Sequence, residues 1–122
     1  MFALLKHLIM HEFSLCQSII KMAEEVCSQT QSQTVNKVFL RIGTQAGVDM
    51  ESLRFWFPVA CKGTLLAHAA LFIDSVDAMA CCCECKQKFL LQVRYMPCPT
   101  CGSFNRDITC GQEMLIEKIE VE

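Results

Sequence analysis

Two C-x-x-C knuckles, Cys82 with Cys85 and Cys98 with Cys101, restrict what this chain can become more than any other feature. Twelve residues separate the pairs, enough chain to turn back so that four sulfurs can surround one ion. Each knuckle points two thiolates the same way from one tight turn, and Zn²⁺ accepts four such donors with no demand beyond a tetrahedron. In Cys98-Pro99-Thr100-Cys101-Gly102 the proline stiffens the turn and the glycine tolerates the backbone behind it. A structural Zn(II) site on Cys82, Cys85, Cys98 and Cys101 is therefore expected.

The run Cys81-Cys82-Cys83-Glu84-Cys85 offers a choice of ligands. Only Cys82 has a cysteine three residues on, so Cys81 and Cys83 are read as bystanders, able to stand in if Cys82 were lost. Cys16, Cys27 and Cys61 lie on helical faces and are read as small core hydrophobes. Cys110 is either a strand-edge residue or an oxidation-prone thiol. Lys86, Lys88, Arg94 and Arg106 flank the knuckles, as a solvated surface that also partly compensates a dianionic thiolate cluster.

A length of 122 residues allows one modest core, or a small core plus a metal-stapled lobe. Hydrophobic residues at 52% exclude a disordered chain. With a net charge of −2 and a pI near 5.9, there is no electrostatic footprint for nucleic acid, and bound thiolates would make the balance more negative still. Ten cysteines would suit a secreted disulfide scaffold, but Met1 to Met10 is interrupted by Lys6 and His7 and is too short for a signal. No stretch approaches the ~20 apolar residues of a membrane span. A reducing cytoplasm with metal-bound thiols is the expected setting.

Apolar residues recur at helical spacing from Phe13 to Cys27, and the pattern breaks over Ser28 to Gln33. Val38, Leu40 and Ile42 alternate with Phe39 and Arg41 and predict a strand ending at Gly43. Asp49 is a fair N-cap for a second helix carrying Leu53, Phe57, Ala60 and Cys61, which Pro58 should kink or shorten and Gly63 should stop. Ala69 to Val76 predicts a second strand, and Met114 to Val121 a closing one. The span from Cys82 to Cys101 has few large apolar residues, so metal binding should supply most of its folding free energy. The fold class expected is α+β: two helices on a small antiparallel sheet, with an inserted zinc-ribbon-like lobe.

The segment Met10-His11-Glu12-Phe13-Ser14-Leu15-Cys16-Gln17-Ser18 resembles the start of the HypA/HybF nickel-insertion proteins that mature [NiFe]-hydrogenases. Val38 to Gly43 with Ala46-Gly47-Val48, Gly63-Thr64, both knuckles, and Gly111-Gln112-Glu113 to Glu122 are similar to that family's pattern in the same order. The resemblance implies a non-enzymatic nickel metallochaperone with a nickel-binding α+β domain over 10–78 plus 108–122 and a zinc-binding domain over 79–107. It implies Ni(II) ligands at the Met10 amine, the His11 imidazole, and the backbone amides of His11 and Glu12. Such a nitrogen-rich, near-planar set suits Ni²⁺ or Cu²⁺ on chemical grounds alone. His7 and His68 have no accompanying ligands and are read as plain side chains.

The same resemblance implies two partners, a nickel-loading GTPase and the hydrogenase large-subunit precursor. Urease maturation and a homodimer are compatible with it, and no nucleic acid or membrane partner is expected. Residues 1–9 depart from the pattern, because with them attached the Met10 nitrogen is an amide and not an amine. Translation is expected to begin at Met10. The competing readings are a rubredoxin-like electron carrier, suggested by Cys98-Pro99-Thr100-Cys101-Gly102, and a zinc-ribbon nucleic-acid adaptor. Catalysis finds little support, with three histidines and no nucleophile paired to a base.

Overall fold

The computed structural model describes the chain from Phe2 to Glu122, with side chains from Glu12 onward. The chain divides into two compact units: unit 1 holds 1–40, 48–73 and 116–122, and unit 2 holds 41–47 and 74–115. Helix α1 spans Phe2–Thr30, strand β1 Val35–Gly43, helix α2 Met50–Cys61, and strand β2 Ala70–Val76. Three short strands follow, β3 (Met79–Cys82), β4 (Lys88–Leu90) and β5 (Arg106–Cys110), before β6 (Met114–Val121) closes the chain. Strands β2, β1 and β6 form one sheet in that order, and β4, β3 and β5 form a second. The α+β class expected from the pattern is the class observed.

Unit 1 owes its stability to helix stripes of the kind the periodicity predicts. Cys16, Ile19, Ile20, Ala23 and Cys27 on α1 are buried, as are Leu53, Phe57 and Cys61 on α2 and Val35, Val38 and Leu40 on β1. Burying such side chains contributes roughly 1.5–3 kcal/mol each for the larger ones. Helix α1 runs to Thr30, beyond the expected end, and closes through Gln31 at φ 57 with Ser32 N–H donating to the Cys27 carbonyl. Asp49 caps α2 as its sequence suggests, accepting from the Glu51 and Ser52 amides. Pro58 does not shorten α2, because it falls in the last turn, where only the hydrogen bond to the Arg54 carbonyl is forfeited.

The thiols of Cys16 and Cys61 sit at this helix contact. Burial raises Cys16 from 9.0 to about 11, and burial with the neighbouring Cys16 raises Cys61 to about 11. Both folded values lie above the unfolded one, so their contribution to stability is complete below pH 9 and is lost as pH rises from 9 through about 11. Urea midpoints should therefore fall over that window, and less so in a Cys16→Ala/Cys61→Ala chain.

Unit 2 has a much smaller apolar centre: Ala78, Ala80, Cys82, Phe89, Leu91 and Cys98 are buried, with Cys85, Met96 and Ile108 packed against them. The loop after β1 belongs to this unit. Gly43 N–H donates to the Glu113 carbonyl, Thr44 N–H to that of Val76, and Gln45 N–H to that of Gly111, while Thr44 Oγ1 accepts from the Ala78 amide. The backbones meet so closely that a Cβ on Gly43 would lie 2.0 Å from the Gly111 carbonyl. Gly43→Ala should cost more than about 3 kcal/mol because backbone, not side chain, is in the way. Gly47→Ala meets nothing within 4 Å and carries only the strain of φ +76, about 1–2 kcal/mol. Denaturant unfolding of the two metal-loaded variants separates these outcomes.

Candidate metal centre

The two knuckles are built by the same local hydrogen bonds. In the first, Cys82 N–H donates to the Gln87 carbonyl at 2.9 Å and Lys86 N–H to the Cys82 carbonyl at 3.0 Å. In the second, Cys98 N–H donates to the Ser103 carbonyl at 2.8 Å and Gly102 N–H to the Cys98 carbonyl at 2.8 Å. Each turn then needs a left-handed residue just after its second cysteine. Gly102 supplies φ +77 freely, whereas Lys86 adopts φ 65 at a steric cost. The Lys86 ammonium donates to the Cys83 carbonyl at 2.8 Å, holding that strained turn shut.

Folding brings the four knuckle sulfurs together. Cys82 Sγ lies 3.5 Å from Cys101 Sγ, Cys85 Sγ lies 3.6 Å from Cys98 Sγ, and all four fall within 4.8 Å of one another. A tetrahedron with Zn–S near 2.3 Å has sulfur–sulfur edges of about 3.8 Å, so one ion of that size fits with minimal adjustment. Cys82 and Cys98 are buried, Cys85 is half-buried, and Cys101 faces solvent. The cage is therefore closed on its inner side and approachable from outside.

The electrostatics of the cluster call for a cation. The Cys85 amide donates to Cys82 Sγ at 3.5 Å and pulls that thiol below its ordinary range. At Cys98 burial works upward, but the amides of Cys101 and Thr100 and the sulfurs of Cys85 and Cys101 outweigh it, bringing it down to about 6. For Cys85 the Gln87 amide works downward, yet burial and the sulfurs of Cys98, Cys82 and Cys101 push it up to about 12. Cys101 moves the same way, the Ser103 amide being outweighed by Cys82 and burial. Four thiols this close cannot all ionise against one another, so full deprotonation requires a divalent ion among them.

The remaining cysteines stand outside this cluster. Cys81 Sγ approaches the carbonyls of Lys86 and Cys82 at 3.8 and 3.9 Å. Cys83 is raised by burial and by Asp107 beside it. Cys110 ends β5 and approaches the Asp77 carbonyl. Lys86 and Arg106 bind backbone carbonyls, and the Arg106 Nε is buried without a partner. With Cys81 and Cys83 outside the cluster and so not placed to stand in, Cys82→Ser should abolish stoichiometric metal retention, whereas Cys81→Ser and Cys83→Ser should each retain one ion per chain, as read by elemental analysis after chelator dialysis.

Of the nitrogen donors expected near the chain start, the side chains of Met10 and His11 lie outside the described residues. Glu12 is described, and sequence reasoning missed what its side chain does. It is buried on α1, and its Oε1 accepts from the Asp49 amide at 3.0 Å, across to the cap of α2. No spacing rule links positions so far apart. His68 is exposed and joins no cluster of metal-ligating groups among the described residues. None of the described helices is long and apolar enough to cross a membrane.

A family model described as hydrogenase/urease nickel incorporation, metallochaperone, hypA, matches residues 10–121. A hydrogenase maturation factor HypA of Francisella philomiragia is 48% identical over 110 residues, covering 90% of this chain and 97% of its own. One from Geotalea uraniireducens is 38% identical over 114 residues, covering 93% and 100%. Among solved structures, the Ni metallochaperone HypA from Helicobacter pylori superposes with a TM-score of 0.61 at 27% identity, covering 90% and 96%. A second solution structure of a HypA protein gives 0.66 at 28% identity, covering 93% and 97%.

Proposed function

The chain belongs to the HypA family, and from that premise we propose that it carries Ni(II) on nitrogen donors at Met10 to Glu12 while Cys82, Cys85, Cys98 and Cys101 hold a resident Zn(II). Membership over residues 10–121 is the observation that carries the reading, since it takes in unit 1 as well as the knuckles. A rubredoxin-like carrier or a zinc-ribbon adaptor would need only the knuckle lobe. The protein is a maturation factor, not an enzyme.

The two donor sets suit different tasks. Zn(II), when bound, supplies a redox-inert cross-link at the cage. The protein contributes four sulfurs, two of them in the core, and amide donors that spread the thiolate charge. Cargo needs the opposite: few donors, open to exchange. The Met10 amine, the His11 imidazole and the amides of His11 and Glu12 meet that need and favour Ni(II) over harder divalent ions. Glu12 would support the site by a side-chain role separate from its backbone one, because its carboxylate accepts from the Asp49 amide and so fastens α1 to the cap of α2. The amine donor exists only in a polypeptide that starts at Met10.

The partners that fit are a nickel-loading GTPase and the hydrogenase large-subunit precursor, with urease maturation as a related outlet and a homodimer as a compatible state. The setting is the cytoplasm, where free thiols stay reduced. Nickel handling would then belong to 10–78 plus 108–122 and zinc binding to 79–107.

Protons compete for the imidazole and the amine, with pKa values near ~6.5 and ~7.7–8, so nickel should be released as pH falls below about 6.5. Calorimetric titration should give one Ni(II) per chain for protein starting at Met10. His11→Ala, or restoring residues 1–9, should weaken it at least about tenfold, the loss of roughly 1.4 kcal/mol. Equal uptake by all three proteins, or uptake indifferent to acid, refutes the ligand set.

A further inference from the structure

We infer that the cage is a redox switch, in which a hydroperoxide links Cys101 to Cys82 and Cys85 to Cys98 as disulfides and the metal is given up. The inference rests on the zinc reading above. The four sulfurs are not equivalent. Cys101 faces solvent and Cys85 is half-buried, whereas Cys82 and Cys98 lie in the core. Two close contacts each pair an outer sulfur with an inner one, Cys101 with Cys82 at 3.5 Å and Cys85 with Cys98 at 3.6 Å. Each pair therefore holds one sulfur that an oxidant can reach and, behind it, a second that can complete the bond. Both pairs cross from one knuckle to the other, over 19 and 13 positions. Within the first knuckle, Cys82 Sγ is approached by the Cys85 amide, at 3.5 Å.

The chemistry balances with the peroxide as oxidant. The Cys101 thiolate attacks one peroxide oxygen, so that an S–O bond forms, the O–O bond breaks and hydroxide leaves. The Cys82 thiolate then attacks the Cys101 sulfur, the S–S bond forms and a second hydroxide leaves, two thiolates having given two electrons to one peroxide. Closing 3.5 Å to the ~2.05 Å of a disulfide asks only for side-chain movement. Two thiolates remain, too few for a closed tetrahedral set, and the cage loses its ion. A second peroxide does the same at Cys85 and Cys98. Links over 19 and 13 positions restrict the unfolded chain more than links inside a knuckle would, so the lobe stays closed without metal. The flanking thiols take no part. Cys81 in β3 and Cys83 just beyond it point away from Cys82, toward the Lys86 carbonyl and Asp107 respectively.

The test uses the full chain starting at Met10, loaded with zinc and treated with about two equivalents of hydrogen peroxide. A chromogenic chelator reads released zinc, and mass spectrometry of peptides maps the cross-links. Peroxide should speed zinc release at least about tenfold over the untreated chain. The linkages should be Cys82 to Cys101 and Cys85 to Cys98, with the other cysteines still reduced. Dithiothreitol with added zinc should restore one ion per chain. Trypsin should cut the oxidised lobe at Lys86, Lys88 and Arg94 several-fold more slowly than the reduced, chelator-stripped lobe. Cys81→Ser/Cys83→Ser should respond as the parent does. Linkage within a knuckle or to Cys81 or Cys83, oxidation that runs to sulfinic or sulfonic acid, loss of the response in the double variant, or zinc release indifferent to peroxide overturns the inference and leaves the zinc reading intact. A reduced chain that holds no zinc sinks the zinc reading instead, and the switch falls with it.

Discussion

Mutual repulsion among four sulfurs governs unit 2. Their atoms lie within 4.8 Å of one another, and two of the cysteines, Cys82 and Cys98, are also members of the unit's small buried centre. Core and cage are thus one object. Beside those two cysteines the centre has only Phe89 and Leu91 as large side chains, too little apolar surface to offset the ordering of the surrounding loops. A divalent ion held by Cys82, Cys85, Cys98 and Cys101 would turn the repulsion into a cross-link between the two knuckle turns. The amides of Cys85, Thr100 and Cys101 prepare the sulfurs for that ion by favouring thiolate at Cys82 and Cys98.

Unit 1 is organised on a different principle. Its core is made of helix stripes and the inner face of β1, with no cluster of metal-ligating groups among its described residues. If the nickel donors proposed for Met10 to Glu12 are used, this unit would carry an exchangeable cargo without putting its own fold at risk each time the cargo leaves. Where donors are also the scaffold, release means unfolding; where donors project from a scaffold that stands by itself, release costs only the donor contacts.

Features set by local spacing were legible in the amino-acid sequence. The knuckles, the α1 and α2 stripes, the Asp49 cap and the core placement of Cys16, Cys27 and Cys61 all depend on residues a few positions apart. Strands β3, β4 and β5 were not, because each is three to five residues long and is stabilised by partners elsewhere in the chain. The left-handed turn at Lys86 lacked the glycine that usually signals one. Nor could spacing disclose the Glu12 carboxylate on the Asp49 amide, or that the loop after β1 folds with the knuckles, since both are contacts between distant positions.

The Gly43–Gly111 crossing bears on how this molecule can be dissected. Unit 2 is written in two separate stretches of polypeptide, and the shorter one supplies amides that cap the carbonyls of Val76, Gly111 and Glu113. A fragment cut as a single piece around the knuckles would bare those acceptors and the flat glycine backbone at once. Any attempt to graft the metal module onto another scaffold has to transplant both stretches, or invent a cover for the face that the missing one leaves behind.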